Sequence, residues 1–231
     1  NVRGFNACRR SLVAGCFVNE PDKDSYHTTS LGLNGGYRFD NGWVADAQVL
    51  RANSKNQYDG SLFAGNQAEG VQRVVGGSLK FSPMQDWKMT LRAGSSQDNS
   101  TGFYNGLFNS RFNTQRDSLT WQNDVAVGEA HLLSAGADYQ NDRVDSSTLY
   151  TKTTRNNQAV FGQYQGGFGA HSVQASARRD NNQQFGGHTT GGLSYGYALS
   201  DATRLTASYG TAFKAPTFNQ LYYPGFGSTT L

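Results

Sequence analysis

The sequence predicts an all-β fold, namely an antiparallel transmembrane β-barrel wall of about ten strands with short periplasmic turns and long extracellular loops. Three observations predict it. Of 231 residues, 28 are Gly and only 4 are Pro, while charged residues make up 16%, against about 25% in ordinary soluble domains. Apolar and polar residues alternate with a period of two in many successive segments. The connectors between these segments are alternately short and long, as in outer-membrane barrels.

The alternation defines the candidate strands one after another along the chain. They lie near residues 25–39, 43–53, 71–81, 87–98, 115–127, 131–143, 154–168, 171–180, 188–199 and 204–213. In the fourth, Trp87, Met89 and Leu91 share one face, and Lys88 and Arg92 share the other. Most segments reach the length of about 9 to 11 residues that a tilted strand needs to cross a bilayer.

The connectors separate a barrel from a soluble sandwich better than alternation does. Residues 40–42, 82–86, 128–130, 168–170 and 200–203 form short turns, whereas 54–70, 99–114, 144–153 and 181–187 are mostly longer. The inner face would carry polar and charged side chains that are costly to bury unpaired, so it must meet water or a polar plug. These are Asp46, Gln48, Lys88, Arg92, Gln122, Asp124, Gln174 and Arg178. Aromatic residues near the strand ends fit either an interfacial girdle or ordinary cross-strand packing.

Composition and motifs argue against two other classes of function. The net charge is only +3 and its Lys and Arg residues are scattered, which gives nucleic-acid binding little support. The segment "GLSYG" (192–196) matches a nucleophile elbow, but Ser194 lies in the middle of a predicted strand with no helix after it. The four His residues share no ligand spacing. We therefore predict that the protein is not an enzyme.

The two cysteines, Cys8 and Cys16, stand in a polar segment with no His nearby. A zinc site would lack ligands, which leaves a disulfide formed in an oxidising compartment, or two free thiols.

Acidic residues gather in two successive long loops, which emerge on the same side of a barrel wall. Their oxygens, with backbone carbonyls, could form a calcium site, since Ca²⁺ takes about six to eight hard oxygen ligands. Solvated loop charges are the alternative interpretation. The candidates are Glu20, Asp22, Asp24, Asp59, Glu69 and Asn6.

Aromatic side chains in the predicted long loops are candidates for contacting a bulky ligand. Tyr58, Phe103 and Tyr104 are the residues in question. Aromatic tips are also common in bacterial surface loops of other kinds.

Three segments of the sequence together carry a resemblance to a known family. They are "SYGTAFKAPTFNQLYYPG" (208–225), "ARRDNNQQFGGHTTGGLSYGY" (177–197) and "GFNACRR" with "GCFVNEPDKDSY" (within 4–26). They resemble the TonB-dependent outer-membrane transporters, and most closely their cobalamin (vitamin B12) receptor branch. In the first of these segments, we interpret 205–213 as a strand and Pro216, which has no N–H to donate, as its exit from the sheet. Residues 214–225 would then form an extracellular surface loop.

The resemblance implies a 22-stranded barrel with an N-terminal plug, located in the outer membrane of a Gram-negative bacterium and surrounded by its lipid. It implies uptake of cobalamin or a related corrinoid, driven by the TonB complex through the plug. We interpret 1–231 as a partial barrel domain, with the plug and the C-terminal strands lying outside it. A siderophore or metal-chelate receptor and a passive porin are the alternatives.

The resemblance also strengthens the calcium interpretation, because cobalamin receptors hold calcium with loop aspartates. Asp22, Asp24 and Asp59 match such positions, whereas Asn6 stands where an Asp is expected and Glu69 aligns only loosely.

Overall fold

Ten strands form one antiparallel sheet whose spatial order follows the chain, from β1 to β10. The computed structural model describes Gly4, Val18, Glu20 and residues 22–231. The strands are β1 (Tyr26–Arg38), β2 (Val44–Ser61), β3 (Gly65–Met84), β4 (Trp87–Tyr104), β5 (Leu107–Val127), β6 (His131–Ser146), β7 (Thr154–Phe168), β8 (His171–Asn182), β9 (Gly186–Ser200) and β10 (Thr203–Gly210), followed by helix α1 (Phe218–Tyr222). The predicted all-β class and the strand number are confirmed. Within the described residues, no helix has the length and apolar character to cross a membrane.

The short turns lie at the predicted places. Gly42, Gly128 and Gly169 occupy three of them, each with a positive φ between 61° and 83°. Glycine adopts this left-handed backbone without the steric cost that a Cβ would impose. These turns therefore reverse the chain within a few residues.

Three of the predicted longer connectors, 54–70, 99–114 and 181–187, are wrong, because the strands continue into them. β2 runs to Ser61 and β3 begins at Gly65, so only residues 62–64 connect them. β4 and β5 are joined by Asn105 and Gly106 alone, with φ of 50° and 79°, as in the type I′ turns of tight hairpins. β8 runs to Asn182 and β9 begins at Gly186, so only residues 183–185 connect them. Where both faces of a strand meet the same surroundings, the period-two pattern disappears while the backbone ladder continues.

The two faces of the sheet differ along their whole width. Directly paired residues share a face, and the pairing places Asp46, Arg92, Asp124 and Arg178 on one of them, here called the polar face. The opposite face, here called the banded face, carries a belt of exposed apolar side chains. Its members include Leu33, Val49, Val75, Leu91, Leu119, Leu133, Val160, Leu193 and Leu205. An exposed apolar surface of this extent requires a lipid or protein cover.

The banded face changes character along each strand. In β4 the outward residues are apolar from Trp87 to Ala93 and polar from Ser95 to Thr101. In β8 they are apolar from Val173 to Ala177, and Arg179 follows. The apolar belt therefore lies next to the short turns, and the hairpin tips extend beyond it.

Residues 211–227, here called the strap, fold back across the polar face instead of forming the predicted surface loop. The last strand ends at Gly210, three residues before the predicted end. Thr217 and Gln220 form a capping box that starts α1, and its Phe218 and Leu221 are buried. Among the described residues the other buried apolar side chains are Val144 and Ala159. The prediction was wrong because Phe218 and Leu221, which look like loop residues in the sequence, are the apolar face of this single helical turn.

Candidate functional site

Three carboxylates meet where the segment before β1 approaches the tips of the first hairpins. Glu20, Asp22 and Asp59 each offer an oxygen, and these oxygens lie within 4.8 Å of one another. Glu20 and Asp59 are half-buried, and Asp22 is exposed. This group is called the acidic cluster below.

An irregularity in the β2–β3 ladder positions Asp59. The regular pairing of the two strands is interrupted between Gln57 and Ser61, and such bulges redirect side chains. Asp59 Oδ1 accepts a hydrogen bond from the Glu20 backbone N–H at 2.9 Å. The segment before β1 is thereby attached to the end of β2.

Asn66 joins a third element to this junction. Its Nδ2 donates to Glu20 Oε1 at 3.2 Å and to Asn105 Oδ1 at 3.0 Å. In return, the Asn105 backbone N–H donates to Asn66 Oδ1 at 3.0 Å. The tips of the β2–β3 and β4–β5 hairpins are therefore linked to the acidic cluster through one side-chain amide.

Close packing at this junction depends on Gly65, which is buried and has a φ of 80°. A Cβ at this position would lie 2.8 Å from the Phe103 carbonyl oxygen and 3.3 Å from the Tyr58 hydroxyl. That hydroxyl donates to the Ala64 carbonyl at 3.1 Å, and burial raises the pKa of Tyr58. Of the three aromatic residues predicted to contact a ligand, Tyr58 thus forms a hydrogen bond inside its own hairpin. Phe103 and Tyr104 are the last two residues of β4.

The residues of the acidic cluster fit a hard divalent cation. Asp59 Oδ2 is buried and receives no hydrogen bond from the residues that the structure describes. Carboxylates this close repel one another unless a cation or a proton intervenes. Calcium takes oxygen ligands of this kind, supplemented by backbone carbonyls and water.

The other predicted calcium ligands lie elsewhere. Asp24 is not among the three clustered carboxylates. Glu69 points to the banded face, where it forms an ion pair with Lys55 at 3.2 Å. Asn6, Cys8 and Cys16 lie outside the described residues, and with them the predicted disulfide.

A second charged group lies on the polar face, in one cross-strand row. Arg116, Asp142 and Arg155 are directly paired across β5, β6 and β7. Arg116 Nε lies 2.7 Å from Asp142 Oδ1, and Arg155 Nη2 lies 3.5 Å from Asp142 Oδ2. We call these three residues the arginine network.

The arginine network anchors the strap to the sheet. Arg155 Nη1 donates to the Pro216 carbonyl at 2.7 Å, and its guanidinium carbon lies 5.0 Å from the centre of the Phe218 ring. Cation–π contacts of this kind are worth about 0.5 to 2 kcal/mol. Sequence reasoning missed this group, although Asp142 continues the period-two spacing of the inward-facing Asp138.

Further contacts hold both ends of the strap. Tyr150 donates from its hydroxyl to Asn219 Oδ1 at 2.6 Å, and burial, together with the nearby Tyr223, raises the pKa of Tyr150. The rings of His188 and Phe213 stack at 3.9 Å. Beneath the strap lies a cavity of about 600 Å³, with both polar and apolar walls. Its lining includes Leu50, Gln72, Asp98, Arg116, Arg155 and Phe218.

Chain-ordered antiparallel strands with one polar face and one apolar belt define the wall of a membrane β-barrel. The chain belongs to the TonB-dependent receptor family, since residues 14–231 match the family described as "TonB dependent receptor-like, beta-barrel". The family predicted from the sequence is confirmed.

Similar curated proteins are vitamin B12 transporters. The chain is 31% identical over 228 residues to "Vitamin B12 transporter BtuB" of Vibrio vulnificus (strain YJ016), covering 94% of this chain and 37% of that protein. It is 25% identical over 229 residues to the protein of the same name from Vibrio cholerae serotype O1 (strain M66-2), covering 93% and 36%. The chain thus spans little more than a third of the length of these relatives.

Solved structures with the same fold are named for other cargoes. "Copper transporter OprC" aligns with a TM-score of 0.65 at 13% identity, covering 88% of this chain and 39% of that one. The RagAB peptide importer in its 'open-open' state aligns with a TM-score of 0.60 at 13% identity, covering 81% and 32%. At these identities the likeness shows the fold alone.

Proposed function

We propose that this chain is part of the barrel wall of a TonB-dependent importer in the outer membrane of a Gram-negative bacterium, with cobalamin or a related corrinoid as its substrate. The observation that carries the substrate is the similarity to vitamin B12 transporters, at 31% and 25% identity over more than nine tenths of the chain. The TonB complex would act through a plug domain in the intact receptor.

The wall supports such a function in two ways. The acidic cluster and Asn66 hold the tips of neighbouring hairpins together at the end of the sheet far from the short turns. The strap, anchored on Arg155, covers part of the polar face. The linked hairpin tips and the strap would together limit the shape and the motion of the barrel opening through which a bulky substrate enters.

Binding of cyanocobalamin to the purified full-length receptor tests the substrate. We expect saturable binding that a ferric siderophore, a copper salt and a mixed peptide pool do not displace. Failure to bind any corrinoid, combined with binding of one of these competitors, would reject cobalamin and leave the family assignment intact. Competition by the ferric siderophore tests the alternative that the protein is a siderophore receptor.

We further propose that the acidic cluster binds Ca²⁺ and that the ion fixes the segment before β1 against the β2–β3 hairpin. Support comes from the three converging carboxylates and from the buried, unpartnered Oδ2 of Asp59 among the described residues. A bound calcium ion would neutralise the repulsion between the carboxylates. Glu20, Asp22 and Asp59 would supply side-chain oxygens.

Calcium titration of two matched variants tests this site. Asp59→Asn keeps the shape of the side chain but removes one charge from the acidic cluster. A charged interaction is worth about 1.5 to 3 kcal/mol, so we expect calcium affinity to fall about tenfold or more. Glu69→Gln removes an equal charge from the Lys55 pair on the banded face and should leave the affinity unchanged. Equal affinities in the two variants would place the calcium site elsewhere.

A further inference from the structure

Two arginines face each other directly on the banded face. Arg51 of β2 and Arg73 of β3 are a paired position in the antiparallel ladder, and both are exposed. Like charges directly opposite in a sheet are destabilising. The pair therefore calls for an anion that the neighbouring side chains do not provide.

Three other basic residues near the hairpin tips on this face have carboxylate partners, whereas Arg179 donates to the Thr189 hydroxyl at 2.8 Å. Lys55 pairs with Glu69 at 3.2 Å, and Arg111 pairs with Asp145 at 3.2 Å. Arg143 lies 3.9 Å from Asp117. These pairs are largely exposed, yet each contains its own counter-charge.

Arg51 and Arg73 differ from these pairs. Arg51 Nε donates to the neutral Asn53 Oδ1 at 3.2 Å. Within the described part of the chain, no side-chain hydrogen bond or ion pair involves Arg73. Two exposed arginines at directly paired positions therefore have guanidinium groups with no carboxylate partner among the described residues.

The distance of Arg73 from the short turn indicates which part of a membrane the two arginines would face. Arg73 lies eight residues from Phe81, near the short turn. At about 3.4 Å per residue that is roughly 27 Å along the strand, and a tilt of about 40° reduces it to roughly 21 Å. The apolar belt of an outer-membrane barrel is about 25 Å tall. The pair therefore lies near the level of the lipid headgroups on the side of the hairpin tips.

Directly below the pair, the same face is apolar. Leu33, Val49 and Val75 occupy the adjacent row across β1, β2 and β3, and all three are exposed. A free inorganic anion would contact only the arginines and not this apolar row. An amphiphile with a charged head and acyl chains would contact both.

We propose that Arg51 and Arg73 bind the phosphate of an outer-leaflet lipid whose acyl chains lie along Leu33, Val49 and Val75. Guanidinium groups suit this ligand because their forked donors match phosphate oxygens in pairs, and basic residues at a membrane surface attract anionic headgroups. The proposal rests on the proposed outer-membrane location, but it is independent of the transported substrate.

Native mass spectrometry of the full-length receptor tests this site. Delipidated protein is mixed with bisphosphorylated lipid A in detergent, and the lipid-bound fraction is compared among variants. We expect the double variant Arg51→Gln/Arg73→Gln to reduce retention about tenfold, and Arg51→Lys/Arg73→Lys to reduce it less, because charge remains while the forked geometry is lost. Arg111→Gln, which removes an arginine with its own carboxylate partner, is the matched control and should retain lipid as the unmodified receptor does.

Three results would overturn the lipid site. The first is equal retention in the unmodified receptor and the double glutamine variant. The second is retention of dephosphorylated lipid A at the same level as the bisphosphorylated form, which would indicate that the phosphate is not bound. The third is displacement of lipid A by millimolar inorganic phosphate, which would indicate a small-anion site. The double lysine variant keeps the test valid if the glutamine variant does not fold.

Corrinoid binding measured on the same preparations separates the two proposals. A receptor that retains lipid A through Arg51 and Arg73 but binds no corrinoid would refute the substrate alone. A receptor that binds corrinoid but shows no phosphate-dependent retention of lipid would refute the lipid site alone.

Discussion

The arginine network and the acidic cluster both join segments that are distant in the sequence, but they treat charge in opposite ways. In the arginine network the Asp142 carboxylate lies between two guanidinium groups, and its side chain and that of Arg155 are only 10% and 9% exposed. In the acidic cluster three carboxylates converge, and no ion pair involves Asp22 or Asp59 in the described part of the chain.

The arginine network contains its own counter-charges, whereas the three carboxylates of the acidic cluster do not neutralise one another. A buried charge is tolerated when it is paired and hydrogen-bonded, which describes the strap anchor. Under the calcium proposal, the acidic cluster gains its counter-charge from a bound cation. We therefore expect the strap to hold with or without divalent ions, and the junction of hairpin tips to depend on them.

The largest effect is expected for Asp142→Asn, which removes the shared counter-charge of Arg116 and Arg155. Breaking a buried ion pair from one side costs about 3 to 5 kcal/mol, since Arg155 would remain buried without compensation. Guanidinium unfolding of the full-length receptor in detergent measures the loss, and amide exchange of residues 212–223 should accelerate.

Arg116→Gln is the control for this variant, because the Arg116 side chain is 54% exposed. An exposed pair contributes about 1 kcal/mol or less, so the strap should remain protected. Equal losses from Asp142→Asn and Arg116→Gln would show that burial does not govern the arginine network.

A smaller effect, whose sign depends on calcium, is expected for Asp59→Asn in the acidic cluster. In a chelator the variant should slow amide exchange in residues 57–66, because one of three repelling charges is gone. In millimolar calcium it should accelerate exchange relative to the unmodified receptor, because a ligand is lost. The same sign in both media would mean that the acidic cluster requires no cation. Asp142→Asn should accelerate exchange in the strap equally in both.

The sequence predicts those parts of the structure where the two faces of a strand meet different surroundings. In β4 the alternation of Trp87, Met89 and Leu91 with Lys88 and Arg92 separates an apolar face from a polar face. The pattern ends at Ser95, beyond which both faces are polar, and so the upper half of the hairpin was predicted as a loop. The Asn105-Gly106 pair was the available signal, because this dipeptide favours a tight hairpin turn.

The candidate sites could be predicted only where the strand pattern itself brings residues together. Asp22 and Asp59 were predicted to converge because successive tips lie on one side of the sheet, and they do lie together. Asn66, which ties Glu20 to Asn105, could not be predicted, because its role depends on hairpins that the pattern does not show. The strap anchor was missed because Arg155 meets Pro216 only through tertiary folding.

The smallest expected effect concerns Tyr150, which contributes a neutral contact to the strap. Tyr150→Phe removes the 2.6 Å hydrogen bond to Asn219 and should cost about 1 kcal/mol, well below the cost of Asp142→Asn. Burial, with a smaller effect from Tyr223, raises the pKa of Tyr150 above its ordinary value of 10.0. The folded state therefore holds the phenolic proton more tightly than the unfolded state does. The stability contributed by Tyr150 is fully present below pH 10.0 and is lost as the pH rises through the folded-state pKa.

The difference in tyrosinate absorbance between the unmodified receptor and Tyr150→Phe isolates this titration from the other tyrosines. We expect its midpoint above 10.0, the ordinary value, and amide exchange in the strap should accelerate over the same pH range. Tyr223→Phe should move the midpoint downward, because it removes a neighbouring phenol that disfavours the charged form. A midpoint at or below the ordinary value would mean that Tyr150 is solvated and that Arg155 and Asp142 hold the strap without it.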